Sequence, residues 1–234
     1  MDLWSALLAT FALSLIWLRL NDLAAQRGWL PADVSRKVIH IGTGPIFILC
    51  WLFFPETSAS RWLAALVPAA ITLQFALVGL GLVRDPQAVR AMSRSGDRRE
   101  ILRGPLFYGA VFVALTLLYW RDSPVGIIAL MLLCGGDGLA DIVGRRAKSN
   151  PLPWNRRKSL LGSAMMFLGG FTFAAAIIWI YLQAGRFPSL SMGSAAARIA
   201  VIALLGTAVE SLPLPEVDNL TVSLAAVLAG ELLF

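Results

Sequence analysis

Two carboxylates carry the strongest chemical signal in this chain. Asp137 and Asp141 stand four residues apart in Gly135-Gly136-Asp137-Gly138-Leu139-Ala140-Asp141, directly after an apolar stretch. On a helix this spacing places both acids on one face, one turn apart. Acids at membrane depth are costly and mark function by default. Mg²⁺ is held by one or two carboxylates together with waters and phosphate oxygens, so the pair is expected to bind a metal and act in catalysis. Further on, Arg156-Arg157-Lys158-Ser159 leads into an apolar segment that begins Leu160-Leu161-Gly162-Ser163. Unbonded N–H groups and the dipole at a helix start favour phosphate. Lys158 and Ser159 are therefore expected to contact phosphate, with Arg157 in support. No glycine precedes the lysine at the spacing of a Walker A loop. The plain alternatives are ion pairs from Arg145 and Arg146 to the acids, and close helix packing at Gly162 and Ser163.

Two other clusters are chemically plausible. If residues 33–44 are helical, Arg36 and Lys37 fall four and three positions before His40, on roughly one side. A neutral His40 would accept a hydrogen bond from an alcohol while Arg36 or Lys37 holds phosphate. Gly42, Gly44 and Pro45 then predict a kink. Near the C-terminal end of the sequence, Glu210, Glu216 and Asp218 flank Pro213 and Pro215, and Asn219 follows. These polar groups are open to two readings, as caps of the next helix or as parts of a metal or nucleotide site.

The elements that must position these groups are apolar helices. Of 234 residues, 58% are hydrophobic and only 15% charged, and the mean hydropathy is +0.73. That composition excludes an ordinary soluble domain. Runs approaching bilayer length cover 3–20, 38–54, 62–83, 106–120, 125–143 and 161–182, with shorter ones at 199–209 and 222–234. The expected fold is an all-α, polytopic membrane bundle of seven or eight spans, one domain over 1–234. The start lacks a basic n-region and its first run can span, so it is read as the first helix rather than a cleaved leader. With two cysteines, both in apolar runs, and one histidine, a Cys/His zinc site is not expected.

The net charge of +6 is unevenly placed. Arg27, Arg36 and Lys37 follow the first run. Arg84, Arg90, Arg94, Arg98, Arg99 and Arg103 follow the third, and Arg145, Arg146, Lys148, Arg156, Arg157 and Lys158 the fifth. The alternate connections carry Arg61, Arg121 and Arg186. The positive-inside rule puts the basic loops in the cytoplasm and the N-terminus outside. The charges suit topology and anionic headgroups, not nucleic acid. All the candidate site residues then share the cytoplasmic face.

The motifs also carry a resemblance. Arg36 to Gly44, RKVIHIGTG, resembles the RKxxHIxxG start of the polyprenol kinase family. Arg99 to Tyr108, REILRGPLFY, resembles the charged entry to its middle helix. GGDGLADIVGRR at 135–146 and WNRRKSLLGSAMMF at 154–167 resemble its nucleotide-site core, and ESLPLPEVDNLTV at 210–222 is similar to the tail motif of phytol kinases. Ser223 departs from the proline often found there, and residues 147–153 lack a glycine expected after GRR. The resemblance implies a membrane kinase, in plasma or thylakoid membrane, that transfers a phosphoryl group from CTP, with Mg²⁺, to phytol, with geranylgeraniol or farnesol as further acceptors. Such a reaction feeds tocopherol and phylloquinone synthesis.

On that reading Asp137, Asp141, Lys158, His40 and Glu210 form the catalytic set. Arg36, Lys37, Gly136, Arg157, Ser159, Gly162, Ser163, Asp218 and Asn219 bind the nucleotide. Glu210 or Asp218 either completes metal binding or accepts the alcohol proton. A CTP-dependent lipid cytidylyltransferase would use similar acids but release pyrophosphate. A small transporter would use the acids as an ion path, but no inverted repeat is visible and Lys158-Ser159 would have no purpose.

Overall fold

The computed structural model describes residues 1–93, 95–214 and 217–234, without the side chains of Asp22, Ala32, Asp33, Arg36 and Ala91. Arg94, Glu216 and the Arg36 side chain, all singled out from the sequence, thus lie outside the described residues. The described residues form α1 (Leu3–Gln26), α2 (Ala32–Cys50), α3 (Ser58–Leu80), α4 (Pro86–Met92), α5 (Gly104–Leu118), α6 (Pro124–Met131), α7 (Asp137–Arg146), α8 (Leu160–Gln183), α9 (Met192–Glu210) and α10 (Asp218–Leu233). Among the described residues, six stretches are long and apolar enough to cross a membrane, and Lys37–Phe53 is a shorter apolar one. The expected all-α membrane bundle is the fold that forms.

One segment organises it. All eight residues of α6 are buried, as are the five of the π-helical turn Leu132–Gly136 that joins it to α7. Residues 125–134 have no polar side chain apart from the Cys134 thiol, and a helix apolar on every side belongs inside a bundle. Around it pack α2, α5, α8 and α10. The outer helices turn Leu8, Leu15, Ile16, Leu66, Leu73, Leu118, Leu168, Leu204 and Leu228 outward. So much exposed apolar surface would be a liability in water and is the expected lipid-facing coat here.

Against lipid, helices gain nothing from hydrophobicity alone, so close packing of small residues drives their association. At Gly169 of α8, a Cβ would lie 2.5 Å from Gly135 O on the π turn. Only glycine permits that approach. The predicted kink in α2 is not an interruption, because the helix continues through Gly42, Gly44 and Pro45.

The ends of the bundle differ. At one end Arg121 is buried, with Nη1 donating to Trp51 O (2.7 Å) and Phe54 O (2.9 Å) and Nη2 to Pro55 O (2.8 Å). It satisfies carbonyls left open where the Trp51–Phe53 3₁₀ turn ends α2. Trp120 before it takes a left-handed conformation (φ 44°). Its ring packs 4.9 Å from Trp51 and 5.8 Å from Phe54, which holds the strained turn in place. The other end gathers the starts of α2, α5, α8 and α10 with the ends of α7 and α9.

Gly169→Ala is expected to destabilise the purified protein by about 1–3 kcal/mol through overpacking, read as a lower thermal midpoint in detergent. Gly193→Ala, with open space around the added methyl, should leave that midpoint unchanged.

Candidate active site

Asp137 is the first residue of α7, and its N–H reaches back to Leu132 O across the π turn. Such turns insert one residue into a helix and re-aim the side chains beyond it. Asp141 lies one turn on, and the i,i+4 spacing read from the sequence holds. Both acids face α2. Lys37 Nζ sits 3.2 Å from Asp137 Oδ2 and 3.2 Å from Asp141 Oδ2, so one ammonium bridges both carboxylates. Arg145 takes the other oxygen of Asp141.

His40 is one turn along α2 from Lys37. Its Nε2 is 3.0 Å from Leu133 O, in the π turn, and 3.5 Å from Asp137 Oδ2. A carbonyl can only accept, so Nε2 carries the proton and donates. This nitrogen therefore holds the turn that sets Asp137 rather than waiting for an alcohol proton. The ring packs on Tyr108 at 4.3 Å between centroids. Tyr108 OH donates to His40 O (3.2 Å) and lies 3.1 Å from Cys134 Sγ. Thus α5, α2 and the π turn form one unit behind the acids. Tyr108 stands in one of the sequence motifs, but sequence reasoning gives it no role. Its signal was an aromatic hydroxyl in an otherwise apolar helix.

Across from α7, residues 150–160 fold back on themselves through a bridge between Pro151 and Ser159. Leu152 N–H donates to Lys158 O (2.9 Å) and Leu160 N–H to Asn150 O (3.0 Å). Buried Asn155, also missed from the sequence, donates to Ser211 O (3.1 Å) and Leu212 O (3.2 Å), tying this loop to the end of α9. The outcome is an ion pair between Lys158 Nζ and Glu210 Oε1. Burial opposes the Lys158 charge, yet the carboxylates of Glu210, Asp137 and Asp218 hold its pKa above the ordinary lysine value. It stays an ammonium throughout the physiological range.

Asp218 begins α10 within electrostatic reach of Asp137, Lys158 and Lys37. It does not cap the helix, since Val217 occupies that position without a side-chain bond. Asn219 Nδ2 donates to Gly104 O (2.9 Å), tying α10 to α5. Ser159 caps α8, accepting from Gly162 N–H (3.1 Å). Gly162 lies against the Gly144 Cα, and Gly136 against Met166 of α8, so each is at a helix contact. Arg157 is exposed. The structure thus brings Lys37, His40, Asp137, Asp141, Lys158, Glu210 and Asp218 together. It gives Ser159, Gly162, Gly136 and Asn219 structural partners.

The cluster sets the carboxylates of Asp137, Asp141, Glu210 and Asp218 among the cations Lys37, Lys158 and Arg145. No group of three His, Cys, Asp or Glu side chains among the described residues is arranged to hold a metal alone. A paired-acid site completed by phosphate oxygens and water fits this arrangement.

His40→Gln, whose amide nitrogen can still reach Leu133 O, is expected to keep most of the turnover. His40→Leu, which leaves that carbonyl open, should lose about tenfold or more, on the scale of a buried polar group left unpaired. Steady-state rates of the two purified variants check this.

Comparison with known proteins agrees with these motifs. The chain is 39% identical to a probable chloroplastic phytol kinase of Triticum aestivum, over 92% of this chain and 72% of that protein. It is 36% identical to the chloroplastic phytol kinase 1 of Arabidopsis thaliana, over 89% and 69%. With the chloroplastic farnesol kinase of the same plant it shares 40%, over 89% and 68%. No family model matches the chain, and no solved structure does. At this identity and coverage, with its acids and cations gathered at one end of a membrane bundle, the chain belongs to the phytol and farnesol kinase family.

Proposed function

We propose that this protein transfers the terminal phosphoryl group of CTP to a prenyl alcohol held in the bilayer, phytol first, with geranylgeraniol and farnesol as further acceptors. The observation that carries this is the joint placement of Lys37 between Asp137 and Asp141 and of Lys158 on Glu210, at one polar end of a lipid-facing bundle. Kinship with phytol and farnesol kinases supplies the acceptor class.

Phosphoryl transfer asks a protein mainly for positioning and charge neutralisation. The Lys37 ammonium marks, between two carboxylates, a place that favours positive charge. Asp137 and Asp141 are the residues that would hold Mg²⁺. The ion would neutralise the nucleotide phosphates and bring them to the acids. Lys37, released toward the incoming phosphates, and Lys158 hold the transferring group's oxygens and stabilise charge that grows in the transition state. Asp218 closes the site from α10. The basic connections at this end support a cytoplasmic-facing site, to which nucleotide comes from water while the prenyl chain stays in lipid. The chloroplastic names of its relatives favour the thylakoid over the plasma membrane as its location.

The test is a purified-protein assay with phytol, Mg²⁺ and each of CTP, UTP, ATP and GTP, identifying both products. Phytyl phosphate with CDP is expected, and a CDP-lipid with pyrophosphate would replace the kinase by a cytidylyltransferase. Asp137→Asn should cut kcat/KM by about 100-fold or more, as losing a transition-state charge contact does, with helical content unchanged by circular dichroism. Full activity in that variant would remove the metal assignment.

A further inference from the structure

At the bundle end that carries the Lys158–Glu210 pair, four buried polar atoms have no hydrogen-bond partner among the described residues. Glu210 is 4% exposed, and while Oε1 meets Lys158, Oε2 is buried with no partner among the described residues. Ser163 Oγ, Thr207 Oγ1 and Ser223 Oγ share that condition. Buried polar atoms are nearly always paired, so each exception calls for an explanation. A helical Ser or Thr can usually bond its own backbone one turn back, as Thr43, Thr72 and Thr116 do here. These three do not.

The four atoms are not scattered. Thr207 is one turn before Glu210 on α9, Ser163 is in the first turn of α8, and Ser223 is in the second turn of α10. All lie at the same end of three packed helices. Met166, one turn beyond Ser163, clusters with Val222, beside Ser223, and with Val209, beside Glu210. A Cβ on Gly206, beside Thr207, would lie 3.8 Å from Val222 Cγ1. The four open atoms therefore belong to three helices that meet at this apolar contact, at the bundle end that carries the Lys158–Glu210 pair.

We infer that this niche receives the hydroxyl of the prenyl alcohol, with Glu210 Oε2 taking its proton and Ser163, Thr207 and Ser223 lining the pocket of the alcohol head. The inference rests on the kinase reading above and assigns the base that it leaves open. In the step, the alcohol O–H bond breaks and its proton passes to Oε2. The oxygen forms a bond to the γ-phosphorus of the nucleoside triphosphate. The bond from that phosphorus to the β,γ-bridging oxygen breaks, and its electron pair leaves with the nucleoside diphosphate. The proton on Glu210 later returns to water. Lys158 keeps the other carboxylate oxygen occupied, so a single oxygen faces the alcohol. The groups that face Glu210 electrostatically are Lys158, Asp137 and Asp218.

The experiment compares wild type with Glu210→Gln in vesicles, using phytol and a prenyl alcohol made more acidic by fluorine at carbon 2. Mg-CTP binding is measured separately by equilibrium dialysis. Gln can still accept from Lys158 but takes no proton. With phytol, kcat should fall by about 100-fold or more, the usual size of a general-base contribution. Mg-CTP binding should stay within about twofold, and the acidic alcohol should recover about tenfold of the deficit, because it needs less help losing its proton. Equal loss with both alcohols, retained activity, or loss of CTP binding would each overturn the assignment. Thr207→Val tests the niche without touching the charge pair: KM for phytol should rise severalfold with KM for CTP unchanged, and the reverse pattern would remove Thr207 from the niche. A wild-type protein that phosphorylates no prenyl alcohol would instead defeat the kinase reading itself.

Discussion

Two carboxylates cannot sit bare one turn apart within a lipid-facing bundle, and the rest of this end of the protein answers that constraint. Their charge is compensated from three directions: Lys37 from α2, Arg145 from their own helix and Lys158 from the loop before α8. Each cation must be carried to its place by a dedicated piece of backbone. α2 stays helical through a proline, residues 150–160 fold back, and Asn155 fastens that fold to α9. Removing one partner of such a network leaves an uncompensated buried charge, which is far worse than never having had the pair. The cluster is therefore a reason why this end adopts one arrangement.

The cation that bridges the two acids is a lysine, Lys37. A lysine is a point charge on four methylenes, able to trade carboxylates for phosphate with little change elsewhere. Arg121 at the far end is a contrast. Its planar fork is fixed on three carbonyls and has a permanent structural role. One bundle thus sets a lysine, suited to exchanging partners, between its paired acids and a rigid arginine where a helix end must be closed.

Much of this was legible in the sequence. The acid spacing, the Lys37–His40 register, the basic-loop asymmetry and the apolar runs led to the helices and to one shared end of the bundle, because each depends on local periodicity. The features that stayed hidden depend on pairing between distant elements. Nothing local indicates that Lys158 meets Glu210, fifty-two residues on, or that Asn155 holds Ser211. The π turn is equally silent, since Leu132–Gly136 reads as ordinary apolar helix until His40 is found on the Leu133 carbonyl. Ser159 and Asn219 show the limit of local motif reasoning from the other side, since each has a structural partner that spacing alone does not disclose. Both sit where ligand-binding residues are expected, and both are engaged by backbone, as a cap and as a helix tie.

The buried helix also sets a depth. From Pro124, beside the polar Arg121–Ser123 turn, thirteen residues lead to Asp137, roughly 20 Å at 1.5 Å per residue. A hydrocarbon layer is about 30 Å thick, so with Pro124 at one headgroup plane and the helix along the normal, the acids would lie on the order of 10 Å beneath the other, with α7 continuing toward it. Chemistry at that level asks the water-borne reactant to descend rather than the oil-borne one to climb. On the proposed reading the phosphoryl donor comes down to the acids, and the isoprenoid keeps its whole chain in the acyl layer. Bilayer thickness then becomes a variable of the proposed reaction, because a thicker leaflet lengthens the donor's descent while leaving the alcohol's position untouched.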